Sequence, residues 1–163
     1  THGGSLRIYG CRDSAYYSTS GNVEIIKKIE DEQGLFNMET YQSFQNQVEK
    51  IKNDFVKFLI DAKEKRMSVC AYGAAAKGNT LINFAGVKQD LIKFVVDNAA
   101  AKQHKYLPGS RIPIVPPDRL KSEPPDVVLI LPWNIKSEII ESIRTGLPEK
   151  TQFVTFIPEK VIH

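Results

Sequence analysis

Residues Val69 to Thr80 read VCAYGAAAKGNT, a run of small residues between an apolar stretch and a helix-compatible one. A turn built from Gly73, Ala74, Ala75 and Ala76 lets ligand oxygens come close to the backbone, because no bulky side chain intervenes. A helix beginning there aims unpaired N–H groups, and the positive end of its dipole, at an anion. Lys77 adds a mobile positive charge, and Asn79 and Thr80 add polar contacts. The chemistry that fits is the cradling of a phosphate-like group. The pattern is neither GxxxxGK[ST] nor GxGxxG, so a tight turn with a solvated lysine stands as an open alternative.

Three further groups bear on that site. Asp97 lies 24 residues after Gly73, at the end of the next apolar run. In doubly wound folds an acid at that place often accepts hydrogen bonds from a ribose; the alternative is a capping aspartate. Leu131-Pro132-Trp133-Asn134 follows another apolar run, where Trp133 could stack on a ring and Asn134 read polar edges. Trp133 as core and Asn134 as a helix cap is the competing reading. His2-Gly3-Gly4 pairs an imidazole with two glycines, suited to acid–base work beside a close backbone approach, or else to a loose end. Lys102, Gln103, Tyr106, Pro108 and Gly109 occupy the long connection after Asp97, and such loops often carry binding groups.

The elements that must position these residues follow from periodicity. Ser5 to Cys11 alternates apolar and polar residues, which predicts a strand. Val23, Ile26 and Ile29 recur at helical spacing, with Ser20 or Asn22 as cap and Gly34 as stop. Met38 to Arg66 carries Tyr41, Phe44, Val48, Ile51, Phe55, Phe58 and Ala62 on one stripe, a helix about 43 Å long. Its aromatic content suits packing on a sheet or on the short neighbouring helix; a coiled-coil seam is the alternative. From Ser68 onward strands alternate with helices: Val69 to Tyr72, helix from Gly78, Lys93 to Asp97, Ile112 to Val115, Val127 to Leu131, helix Asn134 to Arg144, and Phe153 to Ile157 as the last strand. Near-continuous β-branched runs belong to strands buried on both faces, and the alternation predicts βαβ units. The expected fold is α/β: a doubly wound, mainly parallel sheet with flanking helices, preceded by a strand and a long helix.

Composition narrows the function classes. The 163 residues are 42 % hydrophobic, which excludes disorder as the main state. A net charge of +3 is too mild for a typical nucleic-acid binder. The longest apolar run, Val127 to Leu131, is far short of the roughly 18 residues a membrane helix needs. Cys11 and Cys70 are the two cysteines, too few for a disulfide framework or a four-ligand zinc site, so a reducing, cytoplasmic setting is expected. The opening Thr-His-Gly-Gly-Ser reads as the middle of a longer chain.

Taken together and in order, HGGSLR, YGAAAKGNT, VVDN, KQ, YLPG, IPI and LILPWN resemble the C-terminal domain of the sugar C-methyltransferase family, from His2 to about Pro158. The resemblance implies S-adenosylmethionine-dependent methylation of a carbon in a nucleotide-linked deoxysugar. It implies three parts: an N-terminal zinc-binding module, a central domain holding the methyl donor, and a C-terminal Rossmann-like domain that helps hold the nucleotide-diphosphate sugar. This chain looks like the third part alone, one domain over residues 1–163 with 1–66 as lead-in and 67–163 as βαβ core. S-adenosylmethionine and zinc would then belong to other domains of the same polypeptide, as would the family's Tyr-x-Glu-His segment. Ala71 and Asn98-Ala99-Ala100 depart from the family's commoner forms.

Carried onto this chain, the resemblance implies that His2, Gly3 and Gly4 lie at an interdomain cleft near the sugar. Gly73, Ala74, Lys77, Gly78, Asn79 and Thr80 would face the diphosphate or nucleotide, Asp97 and Lys102 would flank it, and Trp133 and Asn134 would border it. No catalytic residue and no metal ligand is assigned here, and the domain alone is expected to be catalytically silent. Partners would be the nucleotide-diphosphate sugar and the rest of the polypeptide, with a homodimer left open and neither nucleic acid nor membrane. Two other classes stand beside this reading: a free-standing NAD- or S-adenosylmethionine-binding Rossmann domain, and a non-catalytic assembly module using the Met38 to Arg66 helix.

Overall fold

The computed structural model describes residues 6–163. The chain divides into two compact units, Thr1–Glu49 and Lys50–His163.

The first unit carries helix α1 (Asn22–Glu32) and the opening turns of helix α2 (Met38–Glu64). Gly34 takes φ +70°, a conformation open to glycine, and ends α1 as expected. Its carbonyl accepts the Thr40 hydroxyl at 2.8 Å, and the Leu35 carbonyl accepts the Tyr41 hydroxyl at 2.6 Å, so the α1–α2 corner is fixed by side chains. The Ser20 hydroxyl accepts the Asn22 N–H at 3.3 Å one residue ahead of the Gly21 cap. The strand expected over Ser5 to Cys11 does not form across residues 6–11, where Leu6, Ile8 and Tyr9 are exposed. Alternation alone leaves backbone groups unpaired; a strand needs a neighbour for its ladder, and no described residue supplies one.

The second unit begins inside α2. Phe55, Leu59 and Ala62 are buried, whereas Tyr41 and Phe44 earlier in the stripe are exposed. A helix of 27 residues is about 40 Å long and a four-residue strand about 13 Å, so only part of such a stripe can face a sheet. Arg66, at φ +57°, turns the chain out of α2. Then follow β1 (Val69–Tyr72), α3 (Ala76–Phe84), β2 (Val95–Val96), β3 (Ile114–Val115), α4 (Asp118–Ser122), β4 (Val127–Ile130), a 3-10 turn (Trp133–Ile135), α5 (Lys136–Arg144), β5 (Gln152–Thr155) and β6 (Val161–Ile162).

The strands form one sheet in the order β3-β2-β1-β4-β5-β6. The first five are parallel and β6 is antiparallel to β5. This is the expected doubly wound, mainly parallel α/β fold. Val69 and Ala71 of β1, with Val127 and Leu129 of β4, pack in one cluster with Phe55 and Leu59 of α2 and Ile82 of α3. Cys70, Tyr72, Val128 and Ile130 point the other way, into a cluster with Leu120 of α4 and Ile139 and Ile140 of α5. Every position of β1 and β4 is therefore buried, as apolar runs covered on both faces require.

Several elements differ from the sequence reading: α3 begins at Ala76 and not at Gly78, and β2 and β3 pair over two residues each inside the longer strands expected. β6 follows the strand expected to be last; two residues after Pro158-Glu159-Lys160 carry too little periodicity to announce a strand. Helix α4 forms directly after Pro116 and Pro117, since proline is compatible with a first helical turn and not only with a loop. The helix expected from Asn134 opens instead with the 3-10 turn from Trp133, and α5 begins at Lys136.

Candidate functional site

The strand order reverses between β1 and β4: from β1 the chain runs outward through β2 to β3 on one side, then returns to β4 and runs through β5 to β6 on the other. Tyr72 and Ile130, the last residues of the two strands, pair in register, so the turns that follow them stand side by side. In open α/β sheets this is where ligands enter, outside the carboxyl ends of the strands.

The two turns are fitted to one another by glycines. Gly73 has φ +93°, and a Cβ placed on it would lie 2.5 Å from the Pro132 Cδ. A Cβ on Gly78 would lie 2.5 Å from the Leu131 Cβ. The bare sides of both glycines thus face the turn after β4, and what they offer a ligand is backbone. Pro132 and Leu131 are the partners that sequence reasoning missed; a Leu-Pro pair beside a glycine turn was the available signal.

The start of α3 is uncapped. Ala75 is extended (φ −105°, ψ 155°) and makes no side-chain capping bond. The first helical bond runs from the Asn79 N–H to the Ala75 carbonyl at 3.0 Å. By helix geometry the N–H groups of Ala76, Lys77 and Gly78 then have no partner within the helix. The Lys77 ammonium lies 5.7 Å from the centroid of the Trp133 ring, which puts a cation and an aromatic face together at this helix end. Trp133 and Asn134 both belong to the 3-10 turn after β4. The Asn79 Oδ1 is buried and has no hydrogen-bond partner among the described residues. Thr80 is turned back on its own helix, its hydroxyl donating to the Ala76 carbonyl at 3.0 Å.

Asp97 is buried at the end of β2, with both carboxylate oxygens engaged. Oδ2 accepts the Ala74 N–H at 2.8 Å and the Lys102 ammonium at 3.1 Å, and Oδ1 accepts the Ala99 N–H at 2.8 Å. Lys102 also donates to the Ala74 carbonyl at 3.0 Å. Next to this cluster the Tyr72 hydroxyl donates to the Asn98 Oδ1 at 2.9 Å. Burial raises the Tyr72 pKa; the Asn98 bond opposes that shift, and the charge of Asp97 adds to it. Gly73, Ala74, Asp97 and Lys102 therefore meet in one network, with Lys77, Gly78 and Trp133 at the neighbouring helix end and Asn134 next to Trp133 in the 3-10 turn. His2, Gly3 and Gly4 lie outside the described residues.

The C-methyltransferase C-terminal domain family matches residues 1–158. This chain belongs to that family. It is also 32 % identical over 158 residues to the C-methyltransferase NovU of Streptomyces niveus, an alignment covering 97 % of this chain and 38 % of that protein. The chain thus spans well under half the length of the curated relative it matches.

For a C-methyltransferase C-terminal domain, the described residues contain no group of three His, Cys, Asp or Glu able to hold a metal ion. Cys70 is buried in the centre of the sheet and Cys11 is exposed, and both thiols are free. Among the described residues no helix is long and apolar enough to cross a membrane. An uncapped helix start and an ammonium are the groups that suit an anion, and the one acid in the network, Asp97, is already engaged.

Proposed function

We propose that this domain holds the diphosphate of a nucleotide-linked deoxysugar for a C-methylation carried out together with other regions of the same polypeptide. The observation that carries the reading is the uncapped start of α3, with Lys77 and Trp133 beside it, at the place where the strand order reverses. The three amides and the ammonium would meet the diphosphate oxygens. The Trp133 ring would border the nucleotide or sugar, with Asn79 and Asn134 as polar contacts. In this reading residues 1–66 are the lead-in and 67–163 the binding core of one C-terminal domain.

The reaction is loss of a proton next to a sugar ketone, followed by attack of the enolate carbon on a methyl group, whose bond to the donor sulfur breaks. S-adenosylmethionine supplies that methyl group when bound. An enolate needs a base and an anion-stabilising group. This chain's contribution is to bind and orient the sugar nucleotide, so the domain alone is expected to turn over nothing.

Two observations bear on where the cofactors sit. A ribose-binding fold uses the acid after its second strand to accept the ribose hydroxyls. Here the Asp97 oxygens already serve Ala74, Ala99 and Lys102, which does not fit a bound S-adenosylmethionine or NAD. The same occupancy weighs against a free-standing NAD-binding domain. The described residues do not fit a zinc site either. In this reading both groups belong to other domains of the same polypeptide. The two free thiols suit a reducing, cytoplasmic compartment.

Calorimetry of the full polypeptide with a dTDP-deoxysugar tests the reading. Lys77→Ala is expected to weaken binding roughly tenfold, the scale of one charge-assisted contact at a partly exposed site. Equal affinities of the wild type and the variant would overturn it. A large thermal response to NAD with none to sugar nucleotides would favour the oxidoreductase-like alternative.

A further inference from the structure

We propose that Asp97 and Lys102 are positioning residues that together grip both backbone groups of Ala74 and so fix the direction in which the α3 amides point. The proposal rests on the diphosphate reading of that helix end.

The grip is visible atom by atom. The Ala74 N–H donates to the Asp97 Oδ2 at 2.8 Å, and its carbonyl accepts the Lys102 ammonium at 3.0 Å. Lys102 and Asp97 are themselves 3.1 Å apart, so one ion pair holds the two peptide units on either side of the Ala74 Cα. The residues on either side are held as well. The Gly73 N–H donates to the Val96 carbonyl at 2.7 Å, and the Ala75 N–H to the Gly73 carbonyl at 2.8 Å. Asp97 is steadied in turn: the Ala99 N–H donates to its other oxygen, and the Gln103 side-chain amide donates to its carbonyl at 2.9 Å.

Rigid aiming matters here because Ala75 brings no side chain to cap the helix. The turn then shares with the packing of Gly78 on Leu131 and of Ile82 in the core the task of setting where the amides of Ala76, Lys77 and Gly78 lie. Donors fixed before the ligand arrives lose less on binding than donors that must be ordered by it. The ion pair is also neutral as a unit, so the carboxylate holds the turn without presenting a net negative charge to an incoming anion.

Simple electrostatics and positioning predict opposite signs for one substitution. Asp97→Asn removes a negative charge near the anion site, which by Coulomb's law alone tightens anion binding. If Asp97 positions the turn, the same change weakens binding, because an amide has one acceptor oxygen where the carboxylate has two: its NH2 must then face a donor, either the Ala99 N–H or the Ala74 N–H and Lys102, and Lys102 loses its counter-charge. The experiment measures dTDP binding by calorimetry and hydrogen exchange over peptides covering residues 73–78, in the full polypeptide.

The expected result is about tenfold weaker dTDP binding for Asp97→Asn, faster exchange across the turn, and a double variant with Lys102→Met no weaker than the single one. Binding as tight as the wild type or tighter, or unchanged exchange, overturns the proposal. Lys102 is half-exposed, so Lys102→Met decides the matter by the same exchange readout should the aspartate variant fail to fold. Lys102→Arg, which can make both bonds, should restore slow exchange. If the wild type does not bind dTDP, the diphosphate reading falls, and exchange in the two single variants still decides whether the pair fixes the turn.

Discussion

Gly73→Ala, alone and combined with Pro132→Ala, probes how the two turns at the switch point fit together. Gly73 sits at φ +93°, where an alanine is strained by about 1–2 kcal/mol. The new Cβ would also stand 2.5 Å from the Pro132 Cδ. That ring is covalently closed and follows the buried Leu131, so it has little room to swing aside, and overpacking of this kind costs about 1–3 kcal/mol. The single variant should therefore lose about 2–5 kcal/mol. Pro132→Ala removes the two ring carbons that collide and should itself cost up to about 1 kcal/mol, through greater freedom of the unfolded chain. In that background Gly73→Ala keeps only the conformational part, about 1–2 kcal/mol. The coupling between the two changes is then about 1–3 kcal/mol, within the range for residues in direct contact. Urea denaturation of the wild type, both single variants and the double variant gives the four free energies. Additivity to within about 0.5 kcal/mol would refute the contact argument and leave conformational strain as the whole effect.

Two further outcomes follow from the core and its rim. The Asp126 carboxylate accepts the Ser68 N–H at 2.8 Å and the Ser68 hydroxyl at 2.9 Å, and these bonds, the backbone one first, hold its pKa below the ordinary carboxylate range. A depressed folded-state pKa gives stability that is present above the unfolded value of about 3.9 and lost as pH falls through the folded one. Asp126→Ala should cost about 1–2 kcal/mol at neutral pH, near the low end because the side chain is one-third exposed, and the gap to wild type should close in acid titrations below about pH 4; a constant gap would contradict this. Burial, reinforced by the charge of Glu123, pushes the Cys70 thiol far up, while Cys11 is exposed. Maleimide at neutral pH should label Cys11 alone in the native chain and Cys70 only after unfolding, as peptide mapping would show.

The sheet was legible because its signals are local and redundant. The β1 and β4 runs are apolar at every position, and each is followed by a break in type, Gly73 in one case and Pro132 in the other. The small-residue turn between β1 and α3 was legible for the same reason. Its inner wiring was not. Asp97 could be placed at the end of a strand by counting, but whether it faces a ribose or Ala74 depends on how residues 98–102 fold back, which no periodicity encodes. The glycines carried a similar ambiguity: a small residue permits close approach, and only the structure shows that the approaching groups are Pro132 and Leu131. The segment before Cys11 misled because alternation describes a chain ready to be a strand, and pairing is decided elsewhere.

The mutual fit of Gly73 with Pro132 and of Gly78 with Leu131 has a practical corollary for anyone redesigning the specificity of this domain. Libraries that randomise either segment by itself will be dominated by misfolded members. Positions 73, 78, 131 and 132 need to be diversified as a set or left alone, whereas positions 77, 79 and 133 lie outside these glycine contacts.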